Sequence, residues 1–179
     1  ISRGFGNKSH PTQALIDIST LYSFDKLTNT SIPVTYVGDV KHSRVFESGR
    51  QLLNLLGYKV GVFTDQNLLP DNRNDLEIYE SWDEVFENSN SIELLRVQKE
   101  RMLDIEKINF DNYIKNYQLT KKILDKSQKD LIVLHPMPIN IGIEISKDAI
   151  EDKKIKYVDQ LSHAIPSRIA SYKYVKGEI

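Results

Sequence analysis

The sequence contains no cysteine. Disulfides, thiolate zinc sites, iron–sulfur ligation and cysteine nucleophiles are therefore excluded, and a reducing compartment such as the cytoplasm fits that usage. The four histidines have no metal-ligand spacing, so no metal centre is expected. Charge of one sign is also lacking: 24 Lys and Arg stand against 25 Asp and Glu, a net charge of −1. Without a bulk cationic field the chain is poor material for nucleic acid or an anionic membrane surface. No apolar run approaches the ~20 residues that span a bilayer, and no signal peptide precedes the first motif. A glycine-rich dinucleotide loop is missing too. The turn at Gly38-Asp39 has a single glycine where G-x-G-x-x-G is needed, which disfavours a nicotinamide cofactor. No cofactor is expected.

What is present suits a globular chain: 179 residues, 40% hydrophobic and 27% charged, are enough for one sizeable core. Apolar runs at 34–37, 60–64, 76–79, 92–97, 131–134 and 155–158 predict strands without strict alternation. Helical patterns lie between them. Pro11 suits a first helical position ahead of Ala14, Leu15, Ile18, Leu21 and Tyr22 on one face. Ser43 is an N-cap for a stripe of Val45, Gly49, Leu52, Leu53 and Leu56, which stops at Gly57. Ser81 caps a short helix with Trp82, Val85 and Phe86. The spacing predicts a charged helix over 99–129, with Phe110, Tyr113, Ile114 and Tyr117 inward, a helical turn over 146–153 and a last helix from about 159. Lys153, Lys154 and Lys156 read as a solvated face, and His42 and His163 as structural or surface residues. Strands buried on both faces and separated by helices make a parallel sheet. The expected fold is a single α/β domain, doubly wound and Rossmann-like, with helices on both faces.

Ligands of such sheets bind beyond the carboxyl ends of the strands, where this sequence places its polar clusters. At a helix start, His10 and Gln13 sit three residues apart, close to free backbone N–H groups, a geometry suited to a carbonyl or an oxyanion. An ordinary capped helix start would look the same. Arg44 falls in the first turn of a helix, where a cation opposes the dipole unless an anionic ligand lies near. Strand periodicity aims Arg96 and Gln98 to one side, a guanidinium fork and an amide suited to a carboxylate. The competing reading gives Arg96 an internal partner, Glu93 or Glu100. In His135-Pro136-Met137-Pro138 the prolines forbid a helix or strand and fix the direction of backbone carbonyls, which can accept from an amine.

Taken together, these stretches resemble the catalytic chains of the aspartate carbamoyltransferase family, within the wider aspartate/ornithine group. The match covers their aspartate-binding domain and the hinge that enters it. It rests on His-Pro-Thr-Gln-Ala-Leu at 10–15, Gly-Asp-Val-Lys-His-Ser-Arg-Val at 38–45 and Leu-Arg-Val-Gln-Lys-Glu-Arg at 95–101. Leu-His-Pro-Met-Pro-Ile at 134–139 and Gly-Ile-Glu-Ile at 142–145 complete it, in order and in register. The ornithine branch would carry a His-Cys-Leu-Pro stretch, which the absence of cysteine rules out.

The resemblance implies carbamoyl transfer from carbamoyl phosphate to L-aspartate in pyrimidine biosynthesis, without metal or cofactor. It implies that His10 bonds the carbamoyl oxygen and Gln13 the carbamoyl nitrogen side. Arg44 would take the α-carboxylate of aspartate, and Arg96 with Gln98 the β-carboxylate. The carbonyls of Met137 and Pro138 would hold the carbamoyl amide, and Glu100 would orient Arg96. Residues 1–22 become a hinge helix, 23–158 the aspartate-binding domain and 159–179 a C-terminal helix. The family's phosphate-binding half, with its Ser-Thr-Arg-Thr loop, is not in the sequence, which also opens at Ile1 and reads as cut from something longer. In the family a lysine loop comes from a neighbouring subunit, so a homotrimeric parent is expected, with this chain inactive alone. Ile141 stands where many relatives carry Arg, and Pro166 falls within the last helix, which must begin late or kink. An ornithine-using enzyme and a non-catalytic binding or assembly module derived from the family are the alternatives.

Overall fold

Short runs rich in valine, leucine and isoleucine form five parallel strands in a computed structural model that describes residues 9–97 and 108–179. The strands are β1 (Val34–Gly38), β2 (Val60–Phe63), β3 (Leu76–Ile78), β4 (Ser91–Leu95) and β5 (Ile132–Leu134), in the order β3-β2-β1-β4-β5. Val34 lies level with Val60 on one side and Ser91 on the other, so the central strands end together. Every residue of β1, β2, β4 and β5 is buried, which is why these strands read as continuous apolar runs.

Parallel pairing forces each connection across a face of the sheet. The described helices are α1 (Pro11–Ser23), α2 (Arg44–Leu55), α3 (Trp82–Asn88), α4 (Phe110–Tyr117), α5 (Lys121–Leu124), α6 (Tyr157–Ser162) and α7 (Ala164–Lys176). One face buries Leu21 of α1 and Phe46 and Leu53 of α2 against Tyr36, Val62 and Leu134. The other buries Phe86 of α3 and Leu124 of α5 against Val37, Phe63, Leu94 and Val133. Helices α6 and α7 pack on α1. The doubly wound α/β domain expected from the sequence is the one observed, and among the described residues no helix is long and apolar enough to cross a membrane.

Several local expectations are corrected. The long helix over 99–129 falls partly outside the described residues, at 99–107. From Phe110 onward it is two helices. The Leu119 N–H leaves the helix to bond the Glu144 carbonyl at 2.9 Å, and the Thr120 side chain caps α5. The expected strand at 155–158 reduces to an isolated bridge between Ile155 and Val133, because α6 begins at Tyr157. The last helix breaks at His163, and Pro166 then sits in the first turn of α7, where its missing N–H is not needed. The inward face of α1 is Ala14, Asp17 and Leu21, while Leu15 and Tyr22 are exposed. A carboxylate in the buried stripe hid that face from hydropathy. In α2 the inward residues are Phe46, Gly49 and Leu53, and Leu56 is exposed. Lys154 is not on a solvated face: its Nζ reaches Ser127 Oγ at 2.7 Å and the carbonyls of Leu124 and Ser127 at 3.2 Å each.

Gly38 ends β1 with φ +122°, and a Cβ there would overlap the Leu95 carbonyl oxygen of β4. Gly38→Ala is therefore expected to destabilise the chain by about 3 kcal/mol, from strain plus overpacking. The check is a fall in the urea midpoint at unchanged slope.

Candidate functional site

Strand order reverses between β1 and β4, so the chain leaving β1 and the chain leaving β4 turn apart and open a crevice at their carboxyl ends. A cavity of about 190 Å³ occupies that place, and His10, Gln13, Arg44, Arg96, Met137 and Pro138 line it. Six residues that the sequence singled out thus meet in one cleft. Gln98 and Glu100 lie outside the described residues. Ser43, Val45, Leu95 and Pro136 complete the lining. The sequence read them as cap, core or turn, and only the folded loops turn them toward the cleft.

Each side chain is set by local structure. Ser43 is the N-cap of α2, its Oγ accepting the Phe46 N–H at 3.1 Å, which starts the helix at Arg44. Arg96 directly follows β4, and the next residue is pinned: the Val97 N–H donates to Glu144 Oε1 at 2.8 Å. Glu144 also accepts the Asn140 N–H and its Nδ2 at 3.0 Å each, tying the loop after β5 to the end of β4. Sequence reasoning missed this carboxylate, since Glu144 lies inside a recognised stretch with nothing to mark it as a loop tie. Burial pushes its carboxyl up from the ordinary range. The turn after β5 is held at both ends. The His135 N–H donates to Gln160 Oε1 at 2.9 Å, and the Met137 N–H donates to His135 Nδ1 at 3.0 Å. Met137 adopts φ 58° and the Met137–Pro138 peptide is cis.

His10 is itself the N-cap of α1, the capped helix start that the sequence offered as the alternative. Its Nδ1 accepts the Gln13 N–H at 3.2 Å, and its own backbone N–H donates to Ser48 Oγ of α2 at 2.7 Å. With Nδ1 an acceptor, the proton of the neutral ring sits on Nε2. Burial, and then the Arg44 guanidinium, lower its pKa, so the ring enters the cleft as a neutral donor. His135 behaves alike: burial, then Arg96, lower its pKa to about 4. His42, read as structural or surface, pairs through Nδ1 with buried Asp39 at 2.8 Å. Glu93, offered by the sequence as a partner for Arg96, is wholly buried and turned to Asp17 of α1 and Tyr36 of β1.

The chain matches the family described as "Aspartate/ornithine carbamoyltransferase, Asp/Orn binding domain" over residues 30–173. It is 36% identical, over 99% of its length, to the aspartate carbamoyltransferase catalytic subunit of Oceanobacillus iheyensis, of which it covers 56%. The corresponding protein of Aquifex aeolicus is 33% identical over 98% of the chain, which covers 60% of it. The chain therefore spans little more than half the length of these relatives. Among solved structures, the catalytic subunit of M. jannaschii aspartate transcarbamoylase superposes with a TM-score of 0.78 at 25% identity, covering 98% of this chain and 58% of that one.

His135 gives a test in pH. Its imidazole takes up a proton less readily folded than unfolded, so its contribution is present above the ordinary histidine value of 6.5 and is lost as pH falls toward 4. The wild-type chain is expected to lose about 3 kcal/mol over that window that a His135→Asn variant, which keeps an acceptor for the Met137 N–H, does not lose. Urea titrations at pH 7 and pH 4 on both proteins measure the difference.

Proposed function

The chain belongs to the aspartate/ornithine carbamoyltransferase family. From that premise we propose that it supplies the amino-acid-binding half of an enzyme that moves the carbamoyl group of carbamoyl phosphate to L-aspartate, giving N-carbamoyl-L-aspartate and phosphate for pyrimidine biosynthesis. The observation that carries this reading is the convergence of Arg44 and Arg96 on one small cleft beside His10. Two guanidinium forks suit a dicarboxylate. The side-chain ammonium of ornithine would face the Arg96 cation instead, so the aspartate reading is preferred within the family.

In this proposal Arg44 takes the α-carboxylate, and Arg96 with Gln98 takes the β-carboxylate, with Glu100 orienting Arg96. The carbonyls of Met137 and Pro138 and the side chain of Gln13 hold the carbamoyl amide. The uncharged amine nitrogen of aspartate attacks the carbamoyl carbon and forms the new N–C bond. Negative charge gathers on the carbamoyl oxygen, where the His10 Nε2–H donates to it. The C–O bond to phosphate then breaks, and phosphate leaves with the electron pair and takes up the proton that the amine gives up. Catalysis of this kind is positioning plus electrostatic stabilisation, and a neutral donor already in place needs no proton uptake to act.

The phosphate-binding half lies outside this sequence in the proposal. The hinge helix expected over 1–22 corresponds among the described residues to α1, 23–158 is the aspartate domain, and the C-terminal helix expected over 159–179 is the pair α6 and α7. The working protein is proposed to be a cytoplasmic homotrimer, because the family's lysine loop is donated between subunits. Joined to its phosphate-binding half, the protein is expected to carbamoylate aspartate and not ornithine. Arg96→Ala should raise the KM for aspartate by about 100-fold, the loss of a charge-assisted bidentate contact. His10→Ala should lower kcat by about 10²–10³ with little change in that KM. Steady-state kinetics with both amino acids measures this, and preference for ornithine would overturn the reading.

A further inference from the structure

Beneath the cleft, on the α1 side of the sheet, two carboxyl groups are buried together: Asp17, 2% exposed, and Glu93, 0% exposed. Hydrophobic patterning gives no reason for either. Asp17 Oδ1 receives two amide groups, Gln13 Nε2 at 2.8 Å and Gln160 Nε2 at 2.6 Å. Side-chain amides can be built either way round, but here the orientation is forced. The His135 backbone N–H can only donate, and it meets Gln160 Oε1 at 2.9 Å. The other end of Gln160 is then its NH₂, which makes Asp17 Oδ1 an acceptor. With Oδ1 an unprotonated carboxylate oxygen it can only accept, so it takes the NH₂ end of Gln13 as well and leaves the Gln13 oxygen as the free end of an amide that lines the cleft.

The remaining oxygens of the pair, Asp17 Oδ2 and both of Glu93, make no hydrogen bond of ordinary geometry among the described residues, although the Tyr36 hydroxyl faces Glu93. Two buried carboxylates in contact cannot both ionise, and one proton held between them fills this gap. Tyr36 of β1, level with Glu93 in the sheet, is the other titratable group acting on the pair. Burial raises all three groups. Because Asp17 already accepts two N–H groups, the negative charge settles on Asp17 and the proton on Glu93.

We propose that the Asp17–Glu93 pair is a positioning device for Gln13, turning its amide oxygen into the cleft so that this wall accepts N–H groups of a bound amide. The kind of ligand rests on the carbamoyl-transfer reading; the orientation of Gln13 does not. Gln160 extends the same lock to the His135 turn, so one carboxylate sets two walls of the site.

Two measurements test this. In the chain itself, the side-chain amide NMR signals of Gln13 are expected to move with pH in step with the Asp17 and Glu93 carboxyl carbons. Glu93→Gln replaces the shared proton with a permanent N–H donor and should shift that movement to lower pH. Gln13 signals indifferent to both pH and Glu93→Gln overturn the proposal, whatever the activity. In the protein joined to its phosphate-binding half, Asp17→Ala should raise the KM for carbamoyl phosphate by about tenfold, with a smaller effect on kcat, roughly one hydrogen bond lost. Asp17→Asn keeps one acceptor oxygen and should restore most of it. A folded Asp17→Ala protein with an unchanged KM overturns the proposal. If Asp17→Ala does not fold, the Glu93→Gln signals decide. If the joined wild-type protein transfers no carbamoyl group while Gln13 tracks the pair, the functional reading falls and the positioning device stands.

Discussion

The site depends on how closely the backbone of β1 passes the end of β4. Gly38 has no Cβ to strike the Leu95 carbonyl, and its φ of +122° turns the chain out of the sheet at that point. The turn leads to Ser43 and the start of α2, which carries Arg44, while Arg96 directly follows the end of β4. Two cations from distant parts of the sequence therefore come to the rim of one crevice. The order β3-β2-β1-β4-β5 supplies the crevice itself, since connections diverge where the order reverses.

Around those cations the protonation states are arranged in layers. The imidazoles of His10 and His135 are pushed toward the neutral form by burial and by the Arg44 and Arg96 guanidinium groups. Among the described residues, the buried carboxyls Glu144, Asp17 and Glu93 stand behind the cleft lining. Glu144 ties the loop after β5 to β4, and Asp17 with Glu93 holds two glutamine side chains. A carboxylate within the cleft would compete with an anionic ligand for Arg44 and Arg96. Placed behind, it fixes geometry instead.

Much of this was legible from residue order. Parallel strands buried on both faces produce apolar runs, and the capping serines at 43 and 81 and the stop at Gly57 stand where the helices start and end. Arg44, Arg96, Met137 and Pro138 could be singled out because polar clusters after apolar strands must lie at one edge of a parallel sheet, and His10 with Gln13 because they share one face of a helix start. What misled was local periodicity where non-local partners decide. Leu119 leaves a helical pattern because the backbone of 144–146 offers it a better bond. Ile155 is apolar like a strand residue yet makes only a bridge, and Lys154 turns inward because three acceptors wait there.

The sequence alone determined the sheet, its parallel sense and the chemistry gathered at its carboxyl edge, because burial on both faces and strand-to-helix punctuation are properties of neighbours along the chain. Tertiary structure decided what each polar group faces. That Glu93 meets Asp17 rather than Arg96, that the His10 N–H meets Ser48 of α2, and that Gln13 and Gln160 share one oxygen are consequences of elements far apart in sequence packing together. No periodicity records such partners, because hydrogen-bond satisfaction in a core is settled by whichever donors and acceptors the packing brings within reach.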